Sequence, residues 1–311
     1  MEFFKRTPNI DFMGMRRVTY AISILLVVGS FVLLAVRGLN LGIDFTGGVV
    51  VEVAYPAAAD IDSARDALTA AGFEDAQVQS FGSSRELAVK VIPAPGEDVN
   101  RVGERVGEAL RASDPGVEVR RTEIVGPQVG RDLTEQGGLA FLFTFIGIMI
   151  YVAFRFEKKM AIATVLGAIH DPIIILGFFS ATQMTFDLAV LAALLAVIGY
   201  SINDTVVVFD RVREVFLLMR KATPTEVMNA AINQTLSRTL MTSFSVLFVV
   251  VSLYLFAGAT LAGFSIAIIV GVFVGTYSSI FVSGVIAHDM KLNAQDLMPV
   301  RKHDPELDAL P

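Results

Sequence analysis

Asp204 stands in Leu188–Phe209, a run with no other charged member. It lies five residues before the run ends, about 7.5 Å inside the edge of a regular helix. An acid placed in a membrane span costs roughly 2.5–3.5 kcal/mol on insertion scales, so it needs a reason. Ser201 and Asn203, with Tyr200 one turn earlier, make a polar face on an otherwise Leu/Ala/Val helix. A locally hydrogen-bonded acid near the membrane edge is the plain account. Against it, Val206-Val207-Val208-Phe209 closes an apolar stretch over Asp204 again. Arg238 opens the next long apolar run, where an arginine is expected from the positive-inside rule and from snorkelling alone. The two runs are antiparallel, however, so Arg238 enters at about the depth at which Asp204 leaves. A carboxylate and a guanidinium that pair or separate as the acid loses or gains a proton form a switch.

His170 and Asp171 fall in the middle of Ala161–Ala181. Asp171 followed by Pro172 has the chemistry of an N-cap and first turn at a helix break. His170 has the chemistry of a hydrogen bond to a neighbouring helix. A structural kink and a member of a proton relay both stay open for this pair. No metal site is expected, since the chain has three histidines and the other two lie near the C-terminus. Zero cysteines exclude a disulfide framework, an Fe–S centre and cysteine-ligated zinc. No phosphate-binding Gly-x-x-x-x-Gly-Lys-Ser/Thr loop and no nucleophile beside a base occurs, so the chain reads as no enzyme, with no cofactor.

The elements that must hold these groups follow from composition. The 311 residues are 54% hydrophobic and 18% charged, and the mean hydropathy is +0.62, which is membrane-protein composition. A hydrocarbon core of ~30 Å needs about 20 apolar residues of helix. Val18–Val36 meets this between Arg16, Arg17 and Arg37, and without a small-residue cleavage site it reads as a retained anchor. Gly137–Phe154, Ala161–Ala181 and Leu188–Phe209 are the next three runs, and Thr239–Ala287 holds 49 uncharged residues that turn back near Ala257–Gly263. Six spans result. Lys5, Arg6, Arg16 and Arg17, then Arg155, Lys158 and Lys159, then Arg211, Arg213, Arg220, Lys221 and Arg238, then Lys291, Arg301 and Lys302 all fall on one side. Both termini are therefore expected in the cytoplasm.

Between Arg37 and Gln136 the chain carries 17 acids and 10 bases, an acidic exported block in an otherwise nearly neutral protein. Net charge −6 argues against nucleic acid as a partner. Val49–Tyr55 reads as a strand, Asp60–Ala71 as a helix, Ala76–Phe81 and Glu86–Ile92 as strands around a Gly82-Ser83-Ser84 turn. Glu97–Ala112 reads as a helix with Val99, Val102, Val106 and Leu110 on one stripe, and Val117–Ile124 as a last strand. The order βαββαβ is the ferredoxin-like split motif. The fold class is thus an α-helical membrane protein with six transmembrane helices and an inserted α+β ferredoxin-like periplasmic domain. Its expected divisions are a cytoplasmic N-terminus 1–17, a first span 18–36, the periplasmic domain 37–136, spans two to six over 137–287 with a cytoplasmic loop 210–238, and a cytoplasmic tail 288–311. Ala267, Gly271, Gly275 and Ser279 form a small-residue stripe for close helix packing. Thr223-Pro224-Thr225-Glu226 reads as a capping box.

Several segments together resemble the SecF family, the smaller subunit of the bacterial SecDF accessory complex of protein export. They are Gly42-Ile43-Asp44-Phe45-Thr46-Gly47-Gly48, Val125-Gly126-Pro127-Gln128-Val129-Gly130, His170-Asp171-Pro172, Gly199-Tyr200-Ser201-Ile202-Asn203-Asp204-Thr205 with Asp210-Arg211-Val212-Arg213-Glu214, and Asn233-Gln234-Thr235-Leu236-Ser237-Arg238-Thr239. The resemblance implies an RND-type inner-membrane protein paired with SecD. It implies use of the proton-motive force on exported polypeptide after the SecA ATPase and SecYEG channel, with other accessory Sec subunits, have begun its passage. It carries the proton-linked acid onto Asp204, beside Asn203, and its companion arginine onto Arg238. Two other functions compete: an RND-type half-transporter for lipid or drug, and a passive scaffold for SecD. The exported block disfavours the former, having no methionine and only Phe45, Phe73 and Phe81.

Overall fold

The computed structural model describes residues 7–94, 97–219 and 221–297. Lys5, Arg6, Arg220, Arg301 and Lys302, used above for orientation, and the end of the tail lie outside them. Among the described residues, six helices are long and apolar enough to cross a membrane. They are α1 (Arg16–Arg37), α5 (Pro127–Arg155), α6 (Lys158–Thr182), α7 (Leu188–Leu218), α8 (Pro224–Phe256) and the last span, Ala259–Asp289. That last span begins as a 3-10 turn at Ala259–Leu261, runs as α9 (Ala262–Ser278) through a π-helical turn at Ser279–Ser283, and ends in α10 (Gly284–Asp289). Helix α8 ends where the return was expected, and Gly258 there has φ +80°, which favours glycine. The Thr223 capping box forms, with its N3 Glu226. From Pro224 to Phe256 the chain is one helix, so the segment before Arg238 is continuous with the fifth span.

The bundle inverts the soluble rule on α1. Thr19, Ser23 and Ser30 are its buried residues, while Val18, Leu25 and Val36 are exposed. The apolar side chains can face lipid, and the small polar ones let helices meet. A Cβ on Gly177 of α6 would fall 2.0 Å from Ser30 Oγ, which measures how closely α1 and α6 approach. The small-residue stripe does the same between α9 and α7. A Cβ on Gly271 would fall 2.3 Å from Val197 Cγ2, and one on Gly275 would fall 3.0 Å from Ser201 Cβ.

Between α1 and α5 lie α2 (Ile43–Thr46), β1 (Gly48–Ala54), α3 (Ile61–Ala70), β2 (Gln77–Phe81), β3 (Ser83–Val91), α4 (Val99–Ser113) and β4 (Glu118–Val125). The strands form one antiparallel sheet in the order β2-β3-β1-β4, the ferredoxin-like arrangement. Val49, Val51, Val53, Leu87, Val89 and Val91 bury one face against Ala64 and Leu68 of α3 and Val102, Val106 and Leu110 of α4. Both helices start one or two residues later than the sequence suggests, because Asp60 and Asp98 serve as N-caps. The expected three-residue turn between β2 and β3 contracts to Gly82, at φ +76°. Helix α5 starts at Pro127, well ahead of the charge-free run, so its first turns stand beside the sheet.

The opposite sheet face, with Val50, Glu52, Gln77, Gln79, Ala88 and Lys90, roofs a cleft of about 280 Å³ over the ends of the spans. Asp187 on the floor of this cleft N-caps α7, accepting from Val190 N at 2.8 Å. Burial, reinforced by the Asp44 carboxylate, holds the Asp187 carboxyl above its ordinary range despite that hydrogen bond.

Two outcomes are expected. Gly271→Ala should destabilise the protein by about 1–3 kcal/mol through overpacking, and Val197→Ala in the same chain should recover part of it, read as thermal unfolding in detergent. Asp187 holds its proton more tightly folded than unfolded, so its charge opposes folding at neutral pH, and the penalty fades as pH falls through the raised range. Asp187→Asn keeps the cap and should match or exceed the parent melting midpoint at pH 7, an advantage that shrinks on acidification. Asp187→Ala should instead lose about 1 kcal/mol.

Candidate functional site

Asp204 is 2% exposed on α7, and among the described residues its Oδ2 is buried without a hydrogen-bond partner. Its electrostatic neighbours are Arg238 and Thr242, both on α8. The antiparallel pairing of the fourth and fifth spans thus brings Arg238 toward Asp204, as the matching depths suggest. Arg238 is itself on the exposed side of α8, and among the described residues it makes no direct ion pair. The arrangement is the separated one: an acid in the interior, a guanidinium at the rim.

The polar face expected around Asp204 divides into three directions, because successive helix positions turn by about 100°. Ser201 points between α6 and α9, where its hydroxyl donates to Asp171 Oδ2 at 2.5 Å. Tyr200 points to α8, its hydroxyl 2.8 Å from Ser243 Oγ, which is in turn 2.8 Å from Thr276 Oγ1 on α9. Asn203 is exposed and turns out of the bundle, so it does not join Asp204.

At Asp171 the structure corrects the capping account. Helix α6 runs unbroken from Lys158 to Thr182 with Pro172 inside it, so Asp171 caps no helix. Its carboxylate is fully buried and engaged instead by other helices. Oδ2 accepts from Ser201 Oγ and from Ser278 Oγ at 2.8 Å, and Oδ1 lies 2.9 Å from His170 Nδ1. His170 stacks on Tyr277 with ring centroids 6.2 Å apart, and its Nε2 is buried without a partner. The Tyr277 hydroxyl donates to Thr19 O at 2.8 Å and lies 2.9 Å from Ser23 Oγ on α1. The π-helical turn begins directly after Ser278, a feature frequent at functional sites.

Two hydrogen-bonded clusters, Tyr277 with α1 and Asp171 with α6, α7 and α9, meet at the stacked rings of Tyr277 and His170, and Asp204 stands one turn along α7 from Ser201. Sequence reasoning missed Tyr277, Ser278, Ser23, Ser243 and Thr276. The signal was there as hydroxyls inside apolar spans, yet which partner each would meet is set by packing.

Two family models match the chain. "SecD/SecF GG Motif" covers residues 32–55, and "Protein export membrane protein SecD/SecF, C-terminal" covers residues 105–293. The chain belongs to the SecF family of protein-export membrane proteins. The protein translocase subunit SecF of Pseudomonas aeruginosa is 46% identical over 298 residues, covering 95% of this chain and 96% of that one. The SecF of Vibrio alginolyticus is 45% identical over 313 residues, covering 100% and 99%. A crystal structure of SecDF from Thermus thermophilus superposes with TM-score 0.84 at 36% identity, and another of SecDF in a Super-membrane-facing form with TM-score 0.69. This chain is covered to 93% in both cases and spans 40% of those longer chains.

The Asp171 network yields a direct expectation. Asp171→Ala strands the Ser201 hydroxyl and His170 Nδ1 and leaves Ser278 only its bond to Gly275 O, and should cost about 2–3 kcal/mol of stability in detergent. Ser201→Ala, which leaves Ser278 on the carboxylate, should cost about 1 kcal/mol.

Proposed function

We propose that this chain works as a SecF subunit with SecD in the bacterial inner membrane, using the proton-motive force to assist polypeptide export alongside SecYEG and SecA. Asp204 is the proton carrier, Arg238 its companion charge, and His170 and Asp171 belong to the polar path that serves it. Asn203, turned out of the bundle, is in position to meet a SecD helix rather than the acid. Both termini lie in the cytoplasm and the ferredoxin-like sheet lies outside, facing the emerging polypeptide.

The observation that carries this reading is the unpartnered, buried Oδ2 of Asp204 beside an arginine that does not pair with it. An interior carboxylate of this kind is expensive when charged and inexpensive when protonated, so proton occupancy and helix position become linked. The driving force is adequate, at about 2.3 kcal/mol per elementary charge per 100 mV. The relatives named as translocase subunits make transport, rather than catalysis, the frame for it. A half-transporter for lipid or drug fits less well. The cleft under the sheet is lined by Asp44, Glu52, Lys90, Glu123 and Asp187, whereas pockets for apolar molecules are predominantly hydrophobic.

Asp204→Asn fixes the neutral form without loss of shape. In cells with the membrane potential intact, it should reduce export of a secretory precursor to the rate of cells lacking the chain, while the protein still accumulates in the membrane. Unchanged export rules out the proton role; a passive scaffold for SecD, in which the two charges are only a pin between helices, predicts that exchanging the charges at positions 204 and 238 restores function.

A further inference from the structure

The segment between α1 and the sheet makes a joint with the end of α7 that the proton reading leaves unused. Residues 37–45 are laced to the loop between α6 and α7. Arg37 Nη1 donates to Ala181 O at 2.9 Å, Asn40 Nδ2 to Gln183 O at 2.9 Å, Phe186 N to Asn40 O at 2.8 Å and Gly42 N to Phe186 O at 2.8 Å. Phe45 stacks on Phe186 at 6.0 Å between centroids. The last link is Asp44, whose Oδ2 accepts the first backbone N–H of α7, that of Leu188, at 3.0 Å. That N–H has no partner within its own helix and sits at the positive end of the helix dipole, where a carboxylate is held best.

The same short segment is pressed against the sheet and α5 from its other side. Lys90 Nζ of β3 donates to Leu41 O at 2.5 Å. A Cβ on Gly130 of α5 would fall 2.7 Å from Gly47 N, and one on Gly48 would fall 2.7 Å from Val91 O. No slack is left between Asp44 and the first residues of β1. Elsewhere the sheet stands over the cleft, meeting the floor in lighter contacts such as Thr185 Oγ1 to Gln79 Oε1 at 3.5 Å.

We propose that Asp44 is a positioning residue that ties the sheet-side end of α7 to the ferredoxin-like domain, so that displacement of α7 is passed to the sheet. The transmission part rests on the role of Asp204 given above; the tie does not. A helix carrying Asp204 and anchored through Asp44 cannot tilt without moving Gly42–Gly48, and the tightly packed Gly47-Gly48 pair hands that movement to β1.

The chain has no cysteine, so an introduced pair reports cleanly. With Gln79→Cys and Thr185→Cys in the full chain in native membranes, the rate of bridging by a short thiol cross-linker reads the cleft opposite the joint. With Asp44 in place, Asp204→Asn is expected to change that rate. Asp44→Ala should shift it about fivefold, the population factor of one lost helix cap, and should erase the dependence on Asp204. Asp44→Asn keeps an accepting oxygen and should behave as the parent. Transmission is overturned if the dependence on Asp204 survives Asp44→Ala, and that result leaves the proton reading standing. A rate indifferent to Asp204→Asn with Asp44 present overturns transmission, while the proton reading stands or falls with the export assay above. The tie itself is then decided by Asp44 alone: a shift with alanine and not asparagine upholds it, and no shift overturns it.

Discussion

A carboxylate taken out of water costs several kcal/mol unless protein groups replace the lost hydration, and in a bilayer every replacement must come from another helix. Asp171 and Asp204 meet that constraint in opposite ways. Asp171 is surrounded: Ser201 from α7, Ser278 from α9 and His170 from its own helix engage both oxygens. Three spans are thereby fixed in relative height and rotation, because moving any of them strands a polar group in a low-dielectric interior. Asp204, one turn along α7 from Ser201, has an oxygen that no group meets. The bundle is pinned at one acid and left unsatisfied at the other, as a device must be if it is to hold its shape while changing its charge.

Small residues make the pinned site possible. Hydroxyls as short as those of Ser201 and Ser278 reach Asp171 only if the helix backbones come close together. Gly271 and Gly275 allow this on α9, where any side chain would strike Val197 or Ser201, and Gly177 allows it on α6 against Ser30. Lipid offers no hydrophobic gain for bringing helices together, so close backbone packing and interhelical hydrogen bonds act as one interaction here. The exposed apolar surfaces of α5 and α8, with Phe143, Phe154, Phe244, Phe248 and Phe256, are what such a bundle turns toward lipid or toward a partner's helices.

The spans and the βαββαβ order were legible in the chain because apolar length and residue periodicity are local properties. Asp204 was legible for the same reason, as an acid inside an apolar run, and Arg238 only through the antiparallel spans that match its depth to that acid. Other features were hidden by neighbours the sequence does not place. Pro172 reads as a helix break beside Asp171, yet α6 passes through it, because serines on α7 and α9 supply what Asp171 needs and no cap is required. Asn203 reads as a companion of Asp204, but one residue of helix rotation carries it to the outside. The early start of α5 at Pro127 was masked by Arg131, Asp132 and Glu135, whose charges mark the edge of the membrane and not the end of the helix.

Helix α7 is 31 residues long, about 46 Å at the usual rise, and it is held at its first turn and again past its middle. Asp44 and Asp187 cap its first turn, and beyond Asp204 the Asp210 carboxylate pairs with Arg155 at the end of α5. Close-packed interiors rearrange between discrete states rather than yielding gradually. On the proposed reading, a proton reaching Asp204 removes a charge near the middle of a helix fastened on either side of it, at its first turn and at Asp210. Energy released there has few outlets. The helix can tilt about the pinned contact between Ser201 and Asp171, and its sheet-side end then moves with the segment from Gly42 to Gly48. The polar cleft beneath the sheet is the space in which that movement can occur, since the sheet face above it is not packed against the spans.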